Sequence, residues 1–214
     1  MAQVKICGIT TPENMQDTLS AGADYIGLNF YAPSPRSVTP DQAGILSRIT
    51  SPDVKNVALV VDAGDDLLGE IVSKAEIDLI QLHGSEDPRR VAEIRERFQR
   101  PVMKVGKVAE AADLEAMRSF EDVADYLLFD AKAPKGMKNA LPGGNALSFD
   151  WTLLAGTQWK KPWMLAGGLH PDNVVEAIRL TGCPCVDVAS GVESKPGLKD
   201  PEKMKTFIQA AKGL

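Results

Sequence analysis

Short runs of apolar and β-branched residues recur along the chain, and between them apolar positions return every three or four residues. The runs are VKICGI from Val4, YIGLNF from Tyr25, VKNVALVVD from Val54, DLIQLHG from Asp78, PVMKVGKV from Pro101, DYLLFDA from Asp125, PWMLAGGL from Pro162 and CVDVASGVE from Cys185. Near-continuous apolar runs are what strands buried on both faces require, and the spacing between them is helical. Val91, Ile94 and Phe98 show that spacing, as do Val174, Val175 and Ile178. Five helix starts pair a capping or turn residue with proline in the first turn: Thr11 with Pro12, Thr39 with Pro40, Asp87 with Pro88, His170 with Pro171 and Asp200 with Pro201. The third and fifth helices have weaker signals.

Eight strand–helix units predict an α/β chain with eight parallel strands closed into a (β/α)8 TIM barrel, one domain spanning residues 1–214. A doubly wound open sheet is the competing topology, but the first turn reads CGITTP, without a glycine-rich dinucleotide fingerprint. Only two connections are oversized, YAPSPRSVT after the second strand and KAPKGMKNALPGGNALS after the sixth. In a barrel both hang over the face that carries active sites.

Composition narrows the function. Twenty-four basic and 29 acidic residues give a net charge of −5 without a basic stripe, so nucleic acid is not an expected partner. No apolar run is long enough to cross a bilayer and the start MAQVKICGIT lacks a signal-peptide pattern, so no membrane association is expected and a cytoplasmic location is. Three cysteines and two histidines neither build a disulfide scaffold nor supply a zinc site, and Cys183 and Cys185, at the start of the last strand, read as packing or surface thiols.

Residues at the C-terminal ends of the strands converge on one mouth: Cys7, Asn29, Asp62, His83, Asp130, Gly167 with Gly168, and Asp187 through Gly191. AGGL and ASGVE, ending the seventh and eighth strands, place glycines where backbone N–H groups can approach an anion; a glycine pair alone is more often a tight turn, but two such turns in these two units favour a phosphate site. An isolated thiol is ordinarily a small buried hydrophobe, yet alternation puts Cys7 on the face of Lys5, and a cationic neighbour can lower a thiol pKa. Asp130 leaves a carboxyl above an apolar run, either as an acid or as a cap or partner of Lys132. Such a pair makes a base and an acid if its environments set opposite protonation states. Arg36, in a proline-bounded loop, offers a planar fork to a carboxylate or phosphate, or is a solvated surface residue. His83 is equally a substrate contact or a structural histidine.

Seven segments, in order, resemble the phosphoribosylanthranilate isomerase family over nearly the whole chain: KICGIT at 5–10, GLNFYAPSPRSV at 27–38, QLHG at 81–84, LLFDAKAPKG at 127–136, PGGNALSFDW at 142–151, LAGGLHPDNV at 165–174 and VDVASGVESKPGLKD at 186–200. The resemblance implies an Amadori rearrangement of N-(5-phosphoribosyl)anthranilate to the 1-deoxyribulose 5-phosphate product in tryptophan biosynthesis, with neither cofactor nor metal. It implies Cys7 as general base and Asp130 as general acid, and Arg36 on the anthranilate carboxylate. Backbone groups of Gly167, Gly168, Ser190 and Gly191 would hold the phosphate, Asp187 would lie near the ribose hydroxyls, and the loop after the sixth strand would cover the substrate. His83 joins the substrate contacts. Lys132, Lys135 and Lys138 are further candidates for attracting the anionic substrate into a net-negative protein. A monomer is expected ahead of a homodimer. Ala146, Ala166 and Ala189 stand where many relatives have serine or glycine, which removes any hydroxyl contact there. Two other readings stay open: a related sugar-phosphate isomerase of histidine biosynthesis, for which paired aspartates would be expected, and a non-catalytic barrel that binds a phosphate ligand.

Overall fold

The computed structural model describes residues 1–134, 141, 143–144 and 147–213. Eight strands, β1 (Gln3–Cys7), β2 (Tyr25–Asn29), β3 (Lys55–Val60), β4 (Leu79–Leu82), β5 (Val102–Val108), β6 (Tyr126–Ala131), β7 (Trp163–Leu165) and β8 (Cys185–Val188), close into a barrel in sequence order. Every neighbouring pair is parallel, and β1 closes against β8 with Lys5 opposite Asp187. Outside the barrel pack α1 (Pro12–Ala21), α2 (Pro40–Ser47), α3 (Asp65–Lys74), α4 (Pro88–Phe98), α5 (Ala111–Met117), α6 (Val174–Thr181) and α7 (Pro201–Lys212).

Strand alternation divides the apolar residues into two cores. One set, including Val57, Leu79, Met103, Leu128, Met164 and Cys185, fills the barrel interior; the larger set, including Ile6, Ile26, Ile80, Phe129 and Val186, faces the helices. The same parity carries Lys5 and Cys7, Gln81 and His83, Leu128 and Asp130, and Cys185 and Asp187 to the inside, so each polar group stands one step above an apolar or paired residue.

Four of the five predicted helix starts form as expected. Thr11, Thr39, Asp87 and Asp200 each accept a backbone N–H of the first turn, with proline just inside the helix. The fifth does not. Residues 171–173 form a turn and α6 begins at Val174, because the Asn173 side chain accepts from His170 N (2.8 Å) and donates to Gly168 O (3.0 Å), tying this segment back to the glycine turn. Two further expectations change. Among the described residues the sixth connection carries a 3-10 turn, Trp151–Leu154, where an eighth helix was expected. Aromatic packing covers the barrel there: the Trp159 ring lies 4.7 Å from Phe129, and Arg118 stacks 3.9 Å from Trp159. The eighth strand ends at Val188 rather than running through Glu193; a 3-10 turn follows, and Glu193–Lys195 (β9) pairs antiparallel with Leu198–Lys199 (β10). No helix among the described residues is long and apolar enough to cross a membrane.

Candidate functional site

A pocket at the C-terminal end of the barrel gathers eight of the nine candidate residues: Cys7, Arg36, His83, Asp130, Gly167, Gly168, Asp187 and Ser190. Gly191 stands just behind it, so close to the preceding loop that a Cβ there would overlap Leu169 O. Gly167 and Gly168 both have positive φ, 88° and 66°, and a Cβ on either would meet neighbouring backbone within 3 Å. The glycines at these turns are therefore required twice over, by dihedral and by space.

Cys7 is nearly enclosed, and its room is made by a residue absent from the sequence-based candidates. A Cβ on Gly27 of β2 would lie 2.7 Å from Cys7 Sγ and 2.9 Å from its Cα. Gly27→Ala is expected to lower kcat/KM about tenfold by displacing the thiol, with the far-ultraviolet circular dichroism unchanged. An unaltered rate would show that the thiol tolerates a shift.

Beneath Cys7 lies Lys5, with no exposed surface, its Nζ 2.8 Å from Asp187 Oδ1. Burial opposes the Lys5 charge, but the Asp187 carboxylate and the Cys7 sulfur outweigh it and hold the ammonium above its ordinary range. The net shift of the Cys7 thiol is upward despite its cationic neighbour. Burial pushes the thiol up, and Lys5, with a smaller pull from Lys199, only partly opposes that push, which Asp187 reinforces. Cys183 and Cys185 are buried, which excludes the surface reading; burial raises both thiols, Cys183 to about 11.

Asp130 accepts the N–H of Ala131 through Oδ1 (2.8 Å), and its Oδ2 lies 3.3 Å from His83 Nε2, a contact whose orientation falls short of a hydrogen bond. Gln81 Nε2 sits 3.3 Å from His83 Nδ1. An amide donating to Nδ1 leaves the ring proton on Nε2, facing the carboxyl. Lys132 does not pair with Asp130, because its Nζ is taken by Asp113 at 2.6 Å. Lys135, Lys138 and Ala146 lie outside the described residues. Of the loop after β6, Gly143 lies directly over the acid: a Cβ on it would stand 2.7 Å from Asp130 Oδ2 and 2.6 Å from His83 Cε1.

Arg36 is buried, which excludes a solvated arginine, and it is already engaged. Its Nε and Nη2 donate to Oε1 and Oε2 of Glu193 at 2.7 and 2.8 Å. Lys199 Nζ donates to the same Oε1 (2.9 Å). Neither Glu193 nor Lys199 was among the candidates, for they come from the β9–β10 hairpin that the strand pattern did not reveal. Among the described residues, no group of three or more His, Cys, Asp or Glu side chains is placed to hold a metal.

A thiol, an imidazole and carboxyls set around the mouth of a closed parallel barrel define a class, the (β/α)8 barrels with a site at the strand ends. Comparison with known proteins makes this particular. Residues 4–210 match the family model described as N-(5'-phosphoribosyl)anthranilate (PRA) isomerase. The N-(5'-phosphoribosyl)anthranilate isomerase of Paramagnetospirillum magneticum is 54% identical over 211 residues, covering 99% of this chain and 97% of its own. The crystal structure of phosphoribosyl anthranilate isomerase from Thermotoga maritima superposes with a TM-score of 0.89 at 34% identity, covering both chains fully. A phosphoribosyl anthranilate isomerase in complex with reduced 1-(o-carboxyphenylamino)-1-deoxyribulose 5-phosphate superposes at 0.84 with 32% identity, again over both full chains. The chain belongs to the N-(5'-phosphoribosyl)anthranilate isomerase family.

Proposed function

We propose that Cys7 and Asp130 are the base and the acid of this enzyme, the isomerase that converts N-(5'-phosphoribosyl)anthranilate in tryptophan biosynthesis. The observation that carries the assignment is their placement: a thiol ending β1 and a carboxyl ending β6, three strands apart around the barrel, lining one pocket. Asp130, protonated, gives its proton to the furanose ring oxygen as the C1–O bond breaks and the anthranilate nitrogen lone pair forms the C1=N iminium. Cys7, as thiolate, takes the C2 proton, and the C–H electron pair moves into the C1–C2 bond while the iminium pair returns to nitrogen. The resulting enolamine gains a proton at C1 and loses one from its hydroxyl to give the ketone, so no net oxidation occurs. The iminium nitrogen is the electron sink, and the chemistry calls for no metal or cofactor.

Arg36 binds the anthranilate carboxylate, the backbone of Gly167, Gly168, Ser190 and Gly191 holds the phosphate, and Asp187 and His83 face the ribose and the acid. The 214 residues act as one domain, a cytoplasmic monomer that engages neither nucleic acid nor membrane. The Thermotoga maritima relative is described as dimeric, so sedimentation tests the monomer directly.

With N-(5'-phosphoribosyl)anthranilate as substrate, an enzyme-dependent fluorescence change should report turnover; tight binding of the reduced product analogue without turnover would instead mark a non-catalytic barrel. Because burial pushes the Cys7 thiol up, its rate of alkylation should keep rising with pH above about 8.5, the unperturbed thiol value. An alkylation profile that levels off well below that value would show that burial does not raise this thiol.

A further inference from the structure

Three buried side chains form a group that the chemistry of the two catalytic residues does not use. Arg36 and Lys199 bring two positive charges and Glu193 one negative charge, all with side chains less than one-tenth exposed. The group is one positive charge in surplus. Burying an uncompensated charge is costly, so a place with this balance favours an anion as its fourth member.

Geometry shows where that anion would sit. A guanidinium presents five N–H groups in a rigid plane. Glu193 takes the Nε and Nη2 edge with both carboxylate oxygens, which fixes the plane and leaves Nη1 free of that pair. Nη1 lies in the mouth, 2.8 Å from the point where a Cβ on Gly144 would stand. Glu193 is fixed in turn: Lys199 Nζ bridges Glu193 Oε1 and Ala189 O, both at 2.9 Å, and Lys203 Nζ donates to Glu193 O at 2.9 Å. Ala189 directly precedes Ser190, so the contacts run from one glycine turn to the arginine.

We propose that Glu193 is a positioning residue that sets the free edge of Arg36 against the aromatic carboxylate of the substrate, with Lys199 anchoring Glu193 and linking that grip to the phosphate turn. The proposal rests on Arg36 being the carboxylate contact. Glu193 then acts on specificity more than on the chemical step, because it touches neither the ribose nor the groups that move protons. The charge state agrees with the arrangement: burial opposes ionisation of Glu193, but Arg36 and Lys199 prevail and hold its carboxyl below the ordinary range.

The test compares binding of the reduced product analogue with binding of its counterpart lacking the aromatic carboxylate. In the unaltered enzyme, loss of the carboxylate should weaken binding about 10- to 100-fold, the scale of one charge-assisted hydrogen-bonded contact. Glu193→Gln keeps the size of the side chain but offers an N–H where Arg36 needs an acceptor. It should shrink that ratio to a few-fold, raise KM about tenfold and change kcat less than threefold. Arg36→Ala is the reference, expected to abolish the ratio. If Arg36→Ala abolishes it and Glu193→Gln leaves it whole, the positioning role is wrong and the carboxylate reading stands; if Arg36→Ala itself keeps the ratio, the carboxylate reading fails. Should Glu193→Gln not fold, Lys199→Met removes the anchor and answers the same question, a reduced ratio supporting the proposal and an unchanged one overturning it.

Discussion

Cys7→Ala and Asp130→Asn are each expected to lower kcat by about two to four decades while the barrel stays folded, the usual scale for losing a positioned base or acid. Neither change should cost much stability. The thiol packs against Gly27, and an asparagine at position 130 retains an oxygen to accept the Ala131 N–H. What the amide of Asp130→Asn cannot do is release a proton to the ring oxygen, and what the methyl group of Cys7→Ala cannot do is take one from C2. The two losses fall on different bonds, so substrate deuterated at C2 tells them apart. Ring opening should limit Asp130→Asn and suppress the isotope effect; proton removal should limit Cys7→Ala and expose it. If both variants turn over near the unaltered rate, the assignment of base and acid fails.

The barrel and most of its mouth were legible because they depend on local periodicity. Alternation on β1, β4, β6 and β8 decides which side chains face inward, and Thr11, Thr39, Asp87 and Asp200 mark helix starts by their own chemistry. Cys7, His83, Asp130 and Asp187 follow directly from that parity. The features that escaped are contacts between distant segments. Arg36 and Glu193 are 157 positions apart, and no local pattern shows that Glu193 opens a hairpin instead of extending β8. Gly27 reads as one small residue in a strand until the Cys7 sulfur is placed against it. The His170–Pro171 start failed for a similar reason, since Asn173 ties that turn to Gly168 and delays the helix. The direction of the Cys7 shift escaped because it is a contest of magnitudes. Spacing shows that Lys5 is near, but only the depth of burial shows that desolvation exceeds its pull.

Lys5→Met is expected to be the most damaging substitution outside the base and acid, because it acts on stability and chemistry together. Lys5 and Asp187 are 182 positions apart and meet at 2.8 Å inside the barrel, between strands that close it. Removing the ammonium leaves the Asp187 carboxylate buried without its partner, a change that costs about 3–5 kcal/mol in comparable buried pairs. Denaturant unfolding measures it. The second effect is on Cys7, which loses the nearest charge pulling its thiol down, so its titration should move further up. Each unit of that movement reduces the thiolate available at neutral pH tenfold and costs about 1.4 kcal/mol. Turnover near neutrality should therefore fall, about tenfold for each unit of that movement. The double variant Lys5→Met with Asp187→Asn separates the two effects. Removing both charges should restore most of the stability, since a neutral pair replaces an orphaned anion. It removes Asp187, which pushes the thiol up, along with Lys5, which pulls it down, so its alkylation profile against pH should fall between those of the unaltered enzyme and the single variant. An alkylation profile that does not move in Lys5→Met would mean that Lys5 serves the closure of the barrel alone, and that the thiolate owes nothing to the cation beneath it.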